Sequence, residues 1–231
     1  MKFTGERFIP SEQGQIRLEH YHRYAMMLDV VKGKAVLDVA CGEGYGSYLM
    51  AGVAHTVVGV DISDEAVRHA SSVYDKPNLK FIQGSATNIE FPDGSFDVVV
   101  SFETIEHLAE QAEMLSEIRR VLRRNGLLII SSPNRPIYSE ESGEHNEFHV
   151  KELDFQEFDT LLRSQFPKVK YFGQRLLMSS VIQPLNETPS TSSVWSDDGS
   201  KLQANSGDLK DPVYFLALCG SASSLSDLIF V

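Results

Sequence analysis

The chain has 231 residues and a mass of 25.8 kDa, which suits one α/β domain with a full core and leaves little room for a second domain. Its content of 42% hydrophobic and 23% charged residues is ordinary for a soluble globular protein, and no apolar run approaches the ~20 residues of a transmembrane helix. A formal net charge of -11 disfavours nucleic acid as a partner, because nucleic-acid binders usually carry a basic patch.

The amino terminus and the two cysteines favour a cytoplasmic location. Residues 1–7 lack the apolar core of a signal peptide. Cys41 and Cys219 form neither a disulfide framework nor a metal-binding spacing, so we expect both to be small buried residues. Any contact with the inner face of a membrane would then come through partners.

Residues 1–33 are predicted as an arm and a cap helix that precede the main domain. The arm, residues 1–16, mixes Gly, Pro and polar residues, and an amphipathic helix pattern extends from Arg17 to about Val31. This helix contains the segment Glu19-His20-Tyr21-His22-Arg23-Tyr24. The segment is either a solvated face with two tyrosines packed beneath it or a cover for a ligand.

The central motif is an apolar strand followed by a glycine-rich turn. Residues 36–39 are the predicted first strand, and Gly42, Gly44 and Gly46 follow it in the pattern G-x-G-x-G. Such a turn lets a ligand approach the backbone, although glycines also cluster in ordinary strand-to-helix turns. The spacing departs from the phosphate-binding G-x-G-x-x-G and no P-loop lysine follows, which favours a ligand without phosphates.

A carboxylate ends the next predicted strand. Residues 56–60 lead directly into Asp61, at the edge of a parallel sheet where strand tips meet ligands. A carboxylate in this place accepts hydrogen bonds from both hydroxyls of a ribose. Asp61 is therefore the predicted ribose ligand.

Residues 37–46 and 60–63 together resemble the class I S-adenosylmethionine-dependent methyltransferases. The resemblance covers about residues 34–172 and implies a Rossmann-like α/β fold, with a seven-stranded, mostly parallel sheet and helices on both faces. It implies that the glycine-rich loop holds the amino acid and ribose parts of the cofactor, that Asp61 binds the ribose, and that Ile62 covers one face of the adenine. In such enzymes an amino-terminal segment often closes over the cofactor, so Arg23 or Tyr24 would reach the methionine carboxylate. The other predicted cofactor residues are Asp38, Ser85, Ala86 and Glu103, with Ser85 standing where the family usually has an acidic residue.

The remaining elements are predicted in the order that this fold requires. The predicted helices are residues 47–54, 63–74 with Ser63 as N-cap, about 103–124, and 153–164. The predicted strands are residues 79–83, 96–101, 127–131, 169–172 and a final antiparallel strand, 213–219. A polar excursion, residues 184–212, is predicted to be mobile and to separate the last two strands. The methyltransferase domain is thus expected over residues 34–220, and the apolar tail 221–231 suggests a longer polypeptide.

Two carboxylates and an imidazole follow the fourth strand. Glu103, Glu106 and His107 stand at i, i+3 and i+4, which would place them on one side of a helical turn near the strand tips. The alternative is that they are ordinary residues at a helix start, where acidic side chains are favoured by the helix dipole.

A long loop, residues 132–152, is a predicted lid that contains His145, Asn146 and His149. The segment Glu103 to His107 resembles the Glu-x-x-Glu-His signature of metal-dependent O-methyltransferases, including the small-RNA 2'-hydroxyl enzymes, and His149 stands where the RNA enzymes complete their site. The resemblance implies Mg²⁺ or Mn²⁺ bound by Glu103, Glu106, His107 and His149, a set that hard cations favour. Without a metal, His107 or His149 would be the general base, with Glu106 beside them.

The whole chain also resembles methyltransferase domains of bacterial surface-polysaccharide (O-antigen type) proteins, which are often fused to glycosyltransferases. This resemblance implies a sugar hydroxyl as the methyl acceptor and a glycosyltransferase as fusion partner or associate. Two alternatives stay open: a metal-independent small-molecule O- or N-methyltransferase, and a non-catalytic cofactor-binding domain of a glycosyltransferase fusion.

Overall fold

Seven strands form the main sheet, and their order agrees with the predicted fold. The computed structural model describes residues 14–143, 146–182, 193–197, 202–204, 209–221 and 225. The strands are β1 (Ala35–Val39), β2 (Thr56–Asp61), β3 (Leu79–Gln83), β4 (Phe96–Ser101), β5 (Leu122–Pro133), β6 (Lys168–Gln174), β7 (Met178–Ile182), β8 (Ser193–Asp197), β9 (Leu202–Ala204) and β10 (Tyr214–Gly220). The main sheet has the order β3-β2-β1-β4-β5-β10-β6. Strands β1 to β5 pair in parallel, and β10 is antiparallel to both β5 and β6.

Helices cover both faces of this sheet. They are α1 (Gln15–Met26), α2 (Leu28–Val31), α3 (Tyr45–Met50), α4 (Asp64–Val73), α5 (Gln111–Val121) and α6 (Phe155–Arg163). Side chains alternate along β1, so that Leu37 and Val39 pack in one core cluster with α5 and α6, whereas Val36 packs in the other with α1 to α3. Burial on both faces explains why the parallel strands are continuous apolar runs.

Tertiary hydrogen bonds interrupt the helix that was predicted over residues 103–124. Only a 3₁₀ turn, Ile105–His107, precedes α5, and Glu103 has a left-handed backbone with φ of 49°. The carbonyl of Glu106 accepts the backbone N–H groups of Val150 and Lys151 at 2.8 and 3.0 Å. The carbonyl of Ile105 accepts the Gln111 side-chain amide at 2.9 Å. Because these carbonyls bond to the loop and to Gln111, the helix begins later than the spacing indicated.

The predicted excursion contains regular structure where the chain is described. Strands β8 and β9 lie within residues 184–212 and form a three-stranded antiparallel sheet with β7. The other parts of the excursion up to residue 208, the arm 1–13, His145 and the tail residues 226–231 lie outside the described residues. In the described part of the chain, no helix is long and apolar enough to cross a membrane.

Candidate active site

Two adjoining cavities lie beyond the carboxyl ends of β1, β2 and β4. The first, which we call the Asp61 cavity, is lined by Gly42, Asp61, Ile62, Ser85 and Ala86 among others. The second, the His149 cavity, is lined by Glu106, His149, Tyr138, Tyr214, His20 and Tyr45 among others. Ala40, Gly42, Glu103 and His107 border both cavities. A ligand in one would therefore meet a ligand in the other at these residues.

The three glycines of the turn have different neighbours. A Cβ on Gly42 would have no atom within 4 Å, so this position faces open space at the cavities, and its φ of +55° favours glycine. A Cβ on Gly44 would lie 2.7 Å from Cβ of Ala70, and one on Gly46 would lie 2.1 Å from the Tyr24 ring. Of the three glycines that were predicted to hold the cofactor, Gly42 alone faces the cavities. Gly44 and Gly46 admit close packing by α4 and α1.

Asp61 joins the glycine turn to the tip of β2. Its Oδ2 accepts the Gly42 N–H at 2.8 Å, and its Oδ1 accepts the Ser63 N–H at 2.9 Å. A carboxylate oxygen can accept more than one hydrogen bond, so Asp61 can bind ligand hydroxyls as well as these two N–H groups. Ile62, 70% exposed, stands beside it on the cavity wall together with Ser85 and Ala86. The structure thus brings together the residues predicted around a ribose and an adenine.

Asp38 lies beneath the turn and does not line either cavity. It is fully buried and accepts hydrogen bonds from the Ser47 hydroxyl at 2.6 Å and the Tyr24 hydroxyl at 3.2 Å. Burial raises the pKa of Asp38 to about 7. Its position indicates that it supports the loop and the cap helix rather than contacting the cofactor.

Arg23 or Tyr24 was predicted to reach the methionine carboxylate; Tyr24 lines the His149 cavity, whereas Arg23 is buried beneath the cavities. Its Nη1 donates to Gln174 Oε1 at 2.8 Å and lies 3.8 Å from Glu103 Oε1. The guanidinium stacks over the Tyr214 ring at 4.7 Å. These contacts fasten α1 across the tips of β4, β6 and β10, and Arg23 is not among the residues that line either cavity.

Glu103 is held at the boundary of the two cavities. Its Oε1 accepts the Ser131 hydroxyl at 2.6 Å, and its backbone N–H donates to the same hydroxyl oxygen at 2.9 Å. This pair of bonds holds the Glu103 carboxylate at Ser131, and Glu103 is not part of the group of ligand atoms formed by Glu106, His107 and His149. The predicted set of four metal ligands is therefore divided, with Glu103 facing Ser131 and Arg23.

Glu106, His107 and His149 form one cluster. Each offers a ligand atom, and these atoms lie within 4.8 Å of one another. Glu106 is completely buried, and neither carboxylate oxygen has a hydrogen-bond partner among the described residues. Burial, and then the nearby Glu103 charge, raise the pKa of Glu106 well above its usual range. A carboxylate in such a place is either protonated or paired with a cation.

Hydrogen bonds fix the orientation of both imidazoles. His107 Nδ1 donates to the Phe148 carbonyl at 2.9 Å, and His149 Nδ1 donates to Glu152 Oε1 at 2.5 Å. The proton on Nδ1 leaves a lone pair on Nε2 of each ring. His107 Nε2 lies 4.0 Å from Glu106 Oε1. With Nδ1 of each ring engaged, Nε2 is the nitrogen that each ring can offer to a metal, and His149 Nε2 lies 3.0 Å from Asn146 Nδ2.

Several residues of this site had no distinguishing signal in the sequence. Glu152 and Tyr138 lie in the predicted lid, and a single acidic or aromatic residue is common in any loop. Tyr214 lies within the predicted final strand, where an aromatic residue is also common. His20 lies in the quoted helix segment, yet only the packing of α1 shows that it lines the His149 cavity. Burial and the Arg23 charge lower the pKa of His20 well below its usual value, so this imidazole is neutral.

The sheet order, the Gly42 turn and the position of Asp61 define the class I S-adenosylmethionine-dependent methyltransferase fold. Residues 37–130 match the family model of a methyltransferase domain. The fold is similar to the methyltransferase domain of bacterial CtHen1, with a TM-score of 0.63 at 16% identity over 90% of this chain and 100% of that one. It is also similar to the YcgJ protein of Bacillus subtilis, with a TM-score of 0.59 at 24% identity over 71% of this chain and 74% of that one.

Curated relatives are named as methyltransferases. A probable S-adenosylmethionine-dependent methyltransferase of Mycolicibacterium smegmatis is 38% identical over 167 residues, which are 71% of this chain and 64% of that protein. The phthiotriol/phenolphthiotriol dimycocerosates methyltransferase 1 of Mycobacterium ulcerans is 32% identical over 123 residues, 52% of this chain and 45% of that protein. The chain spans less than two thirds of the length of these relatives.

Proposed function

We propose that this protein transfers the methyl group of S-adenosylmethionine to a sugar hydroxyl of a bacterial surface glycan or its precursor, with a divalent cation bound by Glu106, His107 and His149. The observation that carries the metal is the completely buried Glu106 carboxylate, whose two oxygens have no hydrogen-bond partner among the described residues. The glycan acceptor is supported by the resemblance of the whole chain to domains of surface-polysaccharide proteins.

The Asp61 cavity fits the nucleoside part of the cofactor. The space where a Gly42 side chain would stand is open, and the Asp61 carboxylate, a hydrogen-bond acceptor, lies on the wall of the same cavity. The bound cofactor supplies an activated methyl group on its sulfonium. The protein must then align the acceptor oxygen with that methyl group and remove the hydroxyl proton.

The cluster of Glu106, His107 and His149 fits a hard divalent cation. An ionised carboxylate without a partner in the interior costs several kcal/mol, and a cation beside it removes that cost. Carboxylate oxygen and imidazole nitrogen suit Mg²⁺ or Mn²⁺, and three protein ligands are fewer than the roughly six that such ions take. The acceptor hydroxyl can therefore share the ion, which would lower the pKa of the hydroxyl.

A metal-free mechanism is the alternative, and one contact favours it. The Glu152 carboxylate orients the His149 ring, as a carboxylate often orients a general-base histidine. His149 can then take the acceptor proton while Glu106 stays protonated. The two mechanisms differ in their response to chelation. The metal mechanism requires that activity disappears in excess chelator and returns with Mg²⁺ or Mn²⁺, whereas the metal-free mechanism keeps its activity.

The test uses purified protein, methyl-labelled S-adenosylmethionine and a panel of acceptors. The panel contains neutral oligosaccharides, nucleotide sugars and a long-chain lipid alcohol, the last because of the name of the M. ulcerans relative. We expect label in an oligosaccharide, loss of turnover in Glu106→Gln, and no loss in Glu113→Gln, which removes an exposed carboxylate of α5. Label in the lipid alone would refute the glycan acceptor, and full turnover with chelator would refute the metal.

A further inference from the structure

We propose that Glu152 is the positioning residue that holds His149 ready as a ligand, and that it thereby sets the affinity of the site for a divalent cation. The inference rests on the metal site proposed above and adds a residue outside that set. Glu152 follows His149 by three residues in the same loop, and its side chain is 8% exposed.

The Glu152 carboxylate is bonded at both oxygens. Oε1 accepts His149 Nδ1 at 2.5 Å, and Oε2 accepts the hydroxyl of Ser139. Ser139 belongs to the π-helical turn Pro136–Glu141, so the carboxylate joins the two ends of the lid. Arg135 donates to the backbone carbonyl of Glu152 at 3.3 Å, and its ion pairs are with Glu140, Asp154 and Glu157. The negative charge of Glu152 therefore acts on the imidazole.

The consequence for His149 is a fixed tautomer and a fixed ring plane. With the proton on Nδ1, the Nε2 lone pair is the one that can meet a cation. In the structure this nitrogen lies 3.0 Å from Asn146 Nδ2, while Asn146 Oδ1 is held by the Phe148 N–H at 3.0 Å. The amide donor thus occupies the lone pair that a cation would take. Cation binding exchanges this one hydrogen bond and leaves the Glu152 contact in place.

The two histidines of the cluster depend on different supports. His107 Nδ1 is held by a main-chain carbonyl, that of Phe148, which no side-chain substitution removes. His149 Nδ1 is held by the Glu152 side chain. Loss of the carboxylate frees the ring to rotate and to take the other tautomer, and outer contacts of this kind typically alter metal affinity by about 10- to 100-fold.

The experiment measures Mn²⁺ binding to the full chain by the electron paramagnetic resonance signal of free Mn²⁺, with no turnover required. We expect Glu152→Ala and Glu152→Met to weaken the Kd by about 10- to 100-fold. Glu152→Gln, whose amide oxygen still accepts from Nδ1, should restore most of the affinity. Glu141→Gln is the matched control, because it removes an exposed carboxylate of the same lid, and its Kd should equal that of the wild type.

Each outcome has a distinct meaning. Wild-type Kd in both Glu152→Ala and Glu152→Met would overturn the role of Glu152 and leave the metal proposal standing. Absence of Mn²⁺ binding in the wild type would overturn both proposals, whereas methyl transfer itself is decided by the labelling assay. The methionine side chain fills the volume of the glutamate. If the alanine variant fails to fold, the Kd of the methionine variant therefore tests the role of Glu152. Equal thermal unfolding midpoints of wild type and variant show that an altered Kd is not a loss of structure.

Discussion

The contact between Gly46 and Tyr24 gives the sharpest test of how the cap helix is fixed to the cofactor loop. In Gly46→Ala the new Cβ would lie 2.1 Å from Cζ of Tyr24 and 2.3 and 2.4 Å from its two Cε atoms. The ring cannot turn aside, because Tyr45 and Phe102 pack edge-on against it at centroid distances of 5.4 and 4.9 Å. The substitution must therefore displace either Tyr24 with α1 or Gly46 with α3.

The expected cost follows from two opposing effects. Expelling a buried aromatic ring loses about 3–5 kcal/mol, as for truncation of such a ring to alanine. Alanine in place of glycine inside a helix returns about 1 kcal/mol, and Gly46 lies within α3 without a positive φ. The packing effect is the larger, so we expect the free energy of unfolding to fall by about 2–4 kcal/mol.

Chemical denaturation of four variants measures this contact. In the background of Tyr24→Ala, Gly46→Ala should instead gain the ~1 kcal/mol of helix propensity, so the double-mutant cycle should return a coupling of about 3–5 kcal/mol. Gly42→Ala is the comparison, because its Cβ meets no atom and its left-handed backbone costs about 1–2 kcal/mol. We expect Gly42→Ala to lower the free energy of S-adenosylhomocysteine binding by more than it lowers the free energy of unfolding. Unchanged stability of Gly46→Ala, or additive effects in the cycle, would refute this reasoning.

Three further substitutions test single contacts. The folded-state pKa of Asp38 is about 7, above the ~3.9 of an unfolded chain, so this group contributes stability at low pH that is lost as pH rises to about 7. Wild type should lose about 3 kcal/mol more than Asp38→Asn between about pH 5 and pH 8, and parallel stability curves would contradict the burial argument. Asp61→Asn leaves one oxygen for two backbone N–H donors, so we expect a loss of about 1–3 kcal/mol in unfolding and weaker S-adenosylhomocysteine binding by calorimetry. Arg135→Ala removes ion pairs to Glu140, Asp154 and Glu157, which should raise the KM for the acceptor while stability falls by less than about 1 kcal/mol; an unchanged KM would argue against a role in placing the lid.

The local elements were predictable because their signals are local. The strands Leu79–Gln83 and Phe96–Ser101 have the bounds that the sequence predicted. Their apolar residues are bounded by turn-forming residues, which leaves little freedom in the choice of ends. Ser63 also caps α4 as predicted, with its hydroxyl accepting the Ala66 N–H at 3.2 Å. In each case the deciding contacts join residues close together in the chain.

The turn after β4 shows where local signals fail. The spacing of Glu103, Glu106 and His107 favoured one face of a helix. In the structure, the backbone N–H groups of Val150 and Lys151 in the loop donate to the Glu106 carbonyl instead. Val150 and Lys151 lie more than forty residues after Glu106, and no pattern in the sequence of the turn predicts these contacts. As a result, Glu103 does not join the cluster of Glu106, His107 and His149, and within the described part of the chain the buried Glu106 carboxylate has no hydrogen-bond partner.

The sequence by itself indicated the fold class, because a strand, a glycine turn and an acidic strand tip are local features that resemble one family of folds. It also supplied Glu106, His107 and His149 as candidates. Only the tertiary structure decided which glycine faces the cavities, that Arg23 and Asp38 lie beneath them, and that Glu152 holds His149. The reason is physical, since each of these facts depends on packing and hydrogen bonds between elements distant along the chain.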